Sequence, residues 1–269
     1  MTTPPSPTWT TILTIGGSDS GAGAGVQADL KTASALGAYA TTAITAITAQ
    51  NTSGVTRVKA LEPSLVEAQI RAVLDDIGAD AVKIGMLGNA ALVRAVAATL
   101  RELGGRIPIV LDPVMIAKGG AELLDRDGAD ALVEQLFPLA TLVTPNADEA
   151  SHLIGARVAN EAELVVAARR VRALGAANAL VKGGHVPGED VADALGRSDD
   201  SVVMFRSKRW SAENVHGTGC TLATAIAVGL GRGLALEVAI GAARDYLRKA
   251  VAATNQTLGR GRNRPMKHS

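Results

Sequence analysis

His216-Gly217-Thr218-Gly219-Cys220 runs directly into the apolar segment Thr221 to Leu230 and contains the one cysteine among 269 residues. Small residues at this point open a helix. Two glycines let a backbone approach a ligand closely, and the free N–H groups at a helix N-terminus, aided by the helix dipole, bind anions and lower the pKa of a nearby thiol. Such a site suits the transfer of a phosphoryl group. The competing reading is a glycine-containing turn ahead of a buried helix, with an inert core cysteine.

Other residues with chemical potential occur in short runs. Gly16 to Gly25 is glycine-rich and precedes Val26-Gln27-Ala28-Asp29-Leu30. It is not a Walker A motif, because no Gly-Lys-Ser/Thr follows, and it is a poor dinucleotide fingerprint. It is either a binding loop or a plain connection. Gln50, in Thr48-Ala49-Gln50-Asn51-Thr52, offers an acceptor and two donors, which matches an aminopyrimidine or pyridine edge. Met86, Val114 and Met115 supply an adaptable apolar wall or simple core packing. Asp112 either presents a carboxylate to a crevice or caps the turn at Pro113.

Thr144-Pro145-Asn146-Ala147-Asp148-Glu149 suits a helix entry in which Asn146 and Glu149 form a cap. The same two side chains could instead organise Mg2+ through water, since Mg2+ prefers oxygen ligands, keeps several waters and accompanies nucleotide phosphates. In Lys182-Gly183-Gly184-His185 the lysine is either a solvated charge or a partner for phosphate oxygens, with the glycines admitting a nucleotide.

These runs need elements to position them. Short Val/Ile/Leu stretches alternate with amphipathic ones, the pattern of an α/β fold with a mainly parallel sheet covered by helices on both faces. Strands are predicted at Thr10 to Ile15, Ala40 to Ala49, Ala81 to Met86, Ile107 to Asp112, Thr141 to Thr144, Ala179 to Lys182 and Val202 to Phe205. Helices are predicted near Val26 to Leu36, Ser64 to Ile77, Ala90 to Leu103, Asp148 to Leu153, Glu161 to Leu174, Cys220 to Gly229 and Leu236 to Thr257. The candidate residues then collect at the C-terminal ends of strands, where open α/β sheets bind ligands. Without an internal linker or a solenoid repeat, residues 10–258 read as one domain, flanked by a flexible N-terminus, 1–9, and a flexible basic tail, 259–269.

Composition narrows the partners. Lys plus Arg number 27 and Asp plus Glu 26, a formal net charge of +1, so nothing in the balance favours nucleic acid. A single cysteine cannot form an internal disulfide, which fits a reducing cytoplasm. Met1 to Pro7 lacks the basic start and apolar run of a signal peptide, and no segment offers about 18 unbroken apolar residues, so no membrane is expected. Aromatics are only 2% of residues, so a bound flat ring would lie mostly against aliphatic or methionine side chains.

Together the segments Gly17 to Lys31, Thr45 to Thr52, Lys83 to Leu87, Leu111 to Met115, Thr144 to Glu149, Lys182 to His185 and His216 to Cys220 resemble the hydroxymethylpyrimidine/phosphomethylpyrimidine kinase family of thiamine biosynthesis. That family lies within the ribokinase-like superfamily, and the resemblance covers roughly Thr10 to Val251. Sugar kinases of the superfamily look different where Cys220 stands, carrying an Asp as base. The resemblance implies a ribokinase-like three-layer α/β/α fold, ATP with Mg2+, and two successive phosphorylations of 4-amino-5-hydroxymethyl-2-methylpyrimidine. It also implies a homodimer.

Carried onto this chain, the resemblance places Gln50 on the pyrimidine edge, with Gly17, Ala24, Met86 and Val114 lining the ring pocket. Cys220 becomes the base, and the amides of Gly217, Thr218, Gly219 and Cys220 stabilise the transferred phosphoryl. Asn146 and Glu149 fall at Mg2+, Asp112 near metal and phosphate, and Lys182 and Gly183 toward the nucleotide. A free thiol titrates near about 8.5, so either the helix N-terminus lowers it or proton loss comes late in a loose transition state. Gly16 replaces an Ala common in the family, and Gly259 to Pro265 only loosely echoes its usual ending. Met115 to Gly120 resembles a segment that closes over the phosphate in such kinases. A pyridoxal-type kinase and a non-catalytic pyrimidine-binding module are the alternatives.

Overall fold

Period-two alternation along short apolar strands generates the central sheet, and the computed structural model describes residues 9–115, 123–184, 186–209, 215–254 and 258–268. In chain order the elements are β1 (Thr11–Ser18), α1 (Gly25–Ala35), β2 (Tyr39–Asn51), β3 (Gly54–Ala60), α2 (Pro63–Asp76), β4 (Ala81–Ile84), α3 (Ala90–Arg101), β5 (Ile109–Leu111) and α4 (Arg126–Gln135). They continue as β6 (Leu142–Val143), α5 (Ala147–Ile154), α6 (Glu161–Arg172), β7 (Ala179–Lys182), β8 (Asp190–Gly196), β9 (Val202–Lys208), β10 (Val215–His216), α7 (Thr218–Gly231), α8 (Leu236–Ala252) and β11 (Arg264–Pro265).

The main sheet has the order β3-β2-β1-β4-β5-β6-β7-β8-β9. Strands from β2 through β7 run parallel, and β3, β8 and β9 add antiparallel edges. Alternate residues feed two apolar layers. Leu13, Ile15, Ile84, Leu111 and Val143 pack with α3, α4 and α6, whereas Ile12, Val110, Leu142 and Leu180 pack with α7 and α8. Each such fully buried side chain contributes about 1.5–3 kcal/mol. Helix α7 is buried from Thr221 to Gly229, which explains its unbroken apolar sequence. The expected three-layer, mainly parallel architecture is the one observed.

Several elements were not expected from the pattern. Edge strand β3 exposes Thr56, Arg57, Val58 and Lys59, the charged decoration that keeps an edge from recruiting another strand. Strand β8 carries acidic residues in its sequence because Asp193 is neutralised by Arg244 of α8 and accepts a bond from the Gly183 amide. Helix α4 starts where the Asp125 side chain accepts from Gly128 N at 2.8 Å, a cap that outweighs the helix-weakening glycine.

The basic end departs from the flexible tail expected over 259–269. Arg264 and Pro265 pair with Val215 and His216, Met266 is buried in the α7–α8 apolar layer, and His268 Nδ1 lies 3.1 Å from Tyr246 Oη. The apolar anchor Met266 overrides the charge of its neighbours. The predicted last helix ends at Ala252 rather than Thr257, and residues 255–257 lie outside the described residues, as do 1–8, 116–122 and His185. No helix among the described residues is long and apolar enough to cross a membrane.

One polar contact crosses the interior. Lys83 of β4 places Nζ 2.9 and 2.8 Å from the two carboxylate oxygens of Asp29 on α1, with 1% and 0% of their side chains exposed. Thr224 of α7 donates to the same carboxylate at 2.8 Å. Burial opposes the lysine's charge, but its acidic neighbours, Asp29 first and Asp112 with it, together outweigh burial and hold Lys83 protonated. Lys83→Met should therefore strand a buried carboxylate and cost about 3–5 kcal/mol, whereas Asp29→Leu/Lys83→Met recovers most of that loss. Denaturant unfolding of the three proteins checks this, and a single variant no less stable than the double one contradicts it.

Candidate active site

A cleft of ≈ 1410 Å³ opens where β1, β2, β4, β5, β6 and β7 end. It is lined by Gly17, Ala24, Gln50, Met86, Asp112, Val114, Asn146, Glu149, Lys182 and all four residues from Gly217 to Cys220. Thus every predicted site residue except Gly183 reaches its wall. Gly183 is buried behind it, donating its amide to Asp193 Oδ1 at 2.8 Å, and Gly184 faces the cleft instead.

The glycine-rich loop after β1 is organised by a residue the sequence reading did not single out. Asp19 Oδ1 accepts from Gly21 N at 2.8 Å, and its Oδ2 accepts from Gly23 N at 3.1 Å and Ala24 N at 2.9 Å. Burial resists ionisation of Asp19, yet the bonds from His216 and these amides outweigh it and hold the carboxyl below its ordinary range. With these amides turned onto a carboxylate, the loop is held in place as a wall of the cleft. The Asp-x-Gly spacing of an Asx turn was the available signal.

The opposite wall is the entry to α7. Gly217 has φ of 84°, and a Cβ there would overlap the carbonyl of Gly23, so only glycine lets this turn sit against the first loop. Gly217 also brings no capping side chain, which leaves the first amides of α7 available to an anion. His216 joins the walls: its Nε2 is 3.0 Å from Gln50 Nε2 and 3.5 Å from Asp19 Oδ2. Thr48 Oγ1 donates to Ser18 O at 2.9 Å and lies 3.3 Å from Gln50 Oε1, which leaves acceptor capacity on that amide oxygen. Ser20 and the Gln50 backbone exchange two bonds of 2.8 Å, fixing the end of β2 to the loop. Met86 packs its sulfur against Gly17, where a Cβ would lie 2.9 Å away.

Charged groups gather at the other end. Lys182 Nζ donates to Asp112 Oδ1 at 2.7 Å, and Thr144 Oγ1 donates to the same oxygen at 3.1 Å. Burial works against the Lys182 charge, but Asp112 and Glu149 raise its pKa and keep it cationic. Both Lys182 and Asp112 converge on α7, since a Cβ on Gly219 would lie 3.2 Å from Asp112 Oδ2 and 3.3 Å from Lys182 Nζ. Lys182 is accordingly a placed cation and not a solvated one.

Asn146 and Glu149 realise the capping reading. Asn146 Oδ1 accepts from Glu149 N at 2.9 Å, and Glu149 Oε2 accepts from Asn146 N at 2.8 Å. Both also line the cleft. Burial pushes Glu149 up to about 7, with Asp112 adding to the rise and Lys182 opposing it. Among the described residues no group of three or more His, Cys, Asp or Glu side chains is placed to hold a metal directly.

Cys220 departs from the expected effect of the helix N-terminus. Burial pushes its thiol up to about 11, with Lys83 pulling down and Asp29 and Asp112 adding to the rise. Lys83 also lines the cleft, an involvement signalled only by a lone cation in the apolar strand Ala81–Ile84. Arg209 was not foreseen either: it donates to the carbonyls of Gly184 and Gly188, each at 2.8 Å, and to Val186 O, shaping the connection after β7.

A parallel α/β sheet with a neutral pocket, a placed cation and an anion-ready helix meeting at its strand ends defines a small-molecule kinase of the ribokinase-like superfamily. The phosphomethylpyrimidine kinase family model matches residues 19–266. The chain belongs to that family. It is 47% identical to the hydroxymethylpyrimidine/phosphomethylpyrimidine kinase of Rhizobium meliloti, over 95% of this chain and 96% of the relative. It is 48% identical, over 96% of its length, to the thiamine biosynthesis bifunctional protein ThiED of Geobacter sulfurreducens, of which it spans about half (52%). Among solved structures, the ADP complex of Bacillus subtilis pyridoxal kinase is similar with a TM-score of 0.86 and 34% identity, covering 97% of this chain and 98% of that one. The phosphomethylpyrimidine kinase of Clostridium difficile gives 0.78 and 38%, covering 90% and 99%.

The raised thiol has a direct readout, because Cys220 is the one cysteine. Thiolate, not thiol, reacts with iodoacetamide, so the alkylation rate should keep rising from pH 8 to pH 10 as the fraction ionised grows toward a pKa of about 11. A plateau by pH 8 would show a thiolate already formed.

Proposed function

We propose that this kinase transfers the γ-phosphoryl of ATP to the hydroxymethyl oxygen of 4-amino-5-hydroxymethyl-2-methylpyrimidine, and then a second phosphoryl to the monophosphate, in thiamine biosynthesis. The observation that carries this reading is the meeting, in one cleft, of the Gln50 amide with the N-terminus of α7 and the Lys182–Asp112 pair. The amide reads the aminopyrimidine edge, and Gly17, Ala24, Met86 and Val114 hold the ring. Amides of Gly217, Thr218, Gly219 and Cys220 face charge that develops on the transferred group, and Lys182 supports the phosphates, the positioning and electrostatic work that dominates phosphoryl transfer.

A thiol at about 11 is not a standing thiolate near neutral pH. Cys220 therefore acts late. As the hydroxymethyl oxygen bonds to phosphorus and the bond to ADP breaks, that oxygen becomes acidic; its proton passes to Sγ while the thiol's own proton passes to a phosphoryl oxygen. Mg2+, when bound with ATP, neutralises phosphate charge and orients the leaving group. Asn146 and Glu149 would hold it through water with Asp112 nearby. The fit is supported by two buried carboxylates in electrostatic contact, with burial and then Asp112 raising Glu149 to about 7 against the opposing charge of Lys182.

Pyridoxal phosphorylation is the second reading, favoured by the similarity to pyridoxal kinases and by an amide and thiol that would serve either heteroaromatic alcohol. Steady-state kinetics and equilibrium binding test the assignments. Cys220→Ala should lower kcat by about 10²–10⁴-fold with pyrimidine affinity little changed. Gln50→Leu should weaken pyrimidine binding by roughly 10–100-fold, the effect of one lost buried hydrogen bond. Equal losses of kcat and affinity in the first, or unchanged affinity in the second, would remove those roles.

A further inference from the structure

The chain end lies across the substrate side of the cleft in a way that the fold alone does not require. Gly261 N donates to Thr52 Oγ1 at 3.0 Å, and Asn263 N donates to Thr52 O at 3.0 Å. Thr52 is two residues beyond Gln50. A Cβ on Gly261 would overlap the carbonyl carbon and oxygen of Thr52, so the tail touches that turn backbone to backbone. Immediately afterwards Arg264 and Pro265 pair in parallel with Val215 and His216, the two residues that lead into Gly217 and α7. The same short segment thus grips the end of the strand that carries Gln50 and the entry to the helix that carries Cys220.

Both ends of the segment are held. Beyond it, Met266 is buried, Lys267 N donates to Thr254 Oγ1 at 3.1 Å, and His268 lies against Tyr246 of α8 and Thr32 of α1. Between the two gripped points sits the direct contact of Gln50 with His216 at 3.0 Å. That contact joins residues 166 positions apart in sequence, from strands of two different sheets. The first loop joins the two from the inside, through Ser20 to the Gln50 backbone and Gly23 to Gly217, and the tail adds a second span between them from the outside.

We propose that Gly259 to Pro265 is a positioning strap, which sets the distance between the residue that reads the substrate edge and the loop that receives the phosphoryl group. None of the strap residues lines the cleft. Its effect is on the register of Gln50 and His216, so loosening it should change the alcohol substrate's KM and kcat while leaving ATP binding intact. Misplacement by about 1 Å at a reacting centre costs up to about 100-fold, which sets the scale of the effect. This inference rests on the kinase reading above, but not on which heteroaromatic alcohol is the substrate.

The test uses the full chain and whichever alcohol the unaltered protein phosphorylates, so failure on the pyrimidine would count against the proposed function and not against the strap. Gly261→Ala forces the tail off Thr52. Thr52→Ala removes the hydroxyl that accepts from Gly261, and Thr52→Ser keeps it. Arg262→Ala alters only an exposed side chain. For Gly261→Ala the expected result is a loss of kcat/KM for the alcohol of about tenfold or more, with ATP KM within about twofold and a folded protein by circular dichroism. Thr52→Ala should show a smaller loss of the same kind, Thr52→Ser a near-normal value, and Arg262→Ala none. Unchanged alcohol kinetics in both Gly261→Ala and Thr52→Ala would overturn the strap. So would parallel losses for alcohol and ATP, or a Thr52→Ser variant as impaired as Thr52→Ala.

Discussion

A buried ion pair underlies the active site. Lys83 and Asp29 lie in a layer of otherwise apolar residues, and removing two charges from water is costly unless geometry and additional hydrogen bonds compensate. Here the lysine spans both carboxylate oxygens, and Thr224 supplies a further donor. Because the three residues come from β4, α1 and α7, the contact fixes the helix that follows the first loop against the helix that carries the cysteine. A hydrophobic replacement of equal volume could bind these elements as tightly, but would not specify their register, nor place a positive charge beneath the thiol.

That charge matters to the chemistry because the site is otherwise crowded with carboxylates. Asp29, Asp112 and Glu149 all act on the titration of their neighbours, and burial amplifies each effect. Lys83 and Lys182 divide the compensation between them, one under the cysteine and one beside Asp112 and Glu149. The result is a cleft with one half lined by the Gln50 amide and apolar side chains, and an ionic half where the N-terminus of α7 meets Lys182 and Asp112. The turn at Gly217 packs against Gly23 and so brings the two halves side by side.

Much of the site was legible because strand-end motifs are local. Gln50, Asp112 and Lys182 each stand at the C-terminal end of a strand in the main sheet, and parallel topology brings such ends together, while the run from Gly217 to Cys220 carries its own glycine signature after the short β10. Long-range compensation was not legible. Lys83 looks like an anomaly within a strand until Asp29 is placed beside it, and Asp193 makes β8 look unlike a strand until Arg244 is seen. The sequence left two readings of the thiol open, a lowered pKa or late proton loss, since the helix N-terminus is written there and the burial that raises the thiol is not. Chain-end composition misled as well: arginines suggested a solvated tail, whereas one methionine and two backbone hydrogen bonds to Thr52 dock it. The Asn146–Glu149 run allowed two readings, and the cap is formed in a place that still faces the cleft.

The most direct test of the account is product identification by mass after incubation with ATP, Mg2+ and each of three alcohols: hydroxymethylpyrimidine, its monophosphate, and pyridoxal. The account predicts ADP release with the first two and accumulation of the pyrimidine diphosphate. Phosphorylation of pyridoxal alone, or tight pyrimidine binding without any phosphorylated product, would contradict it.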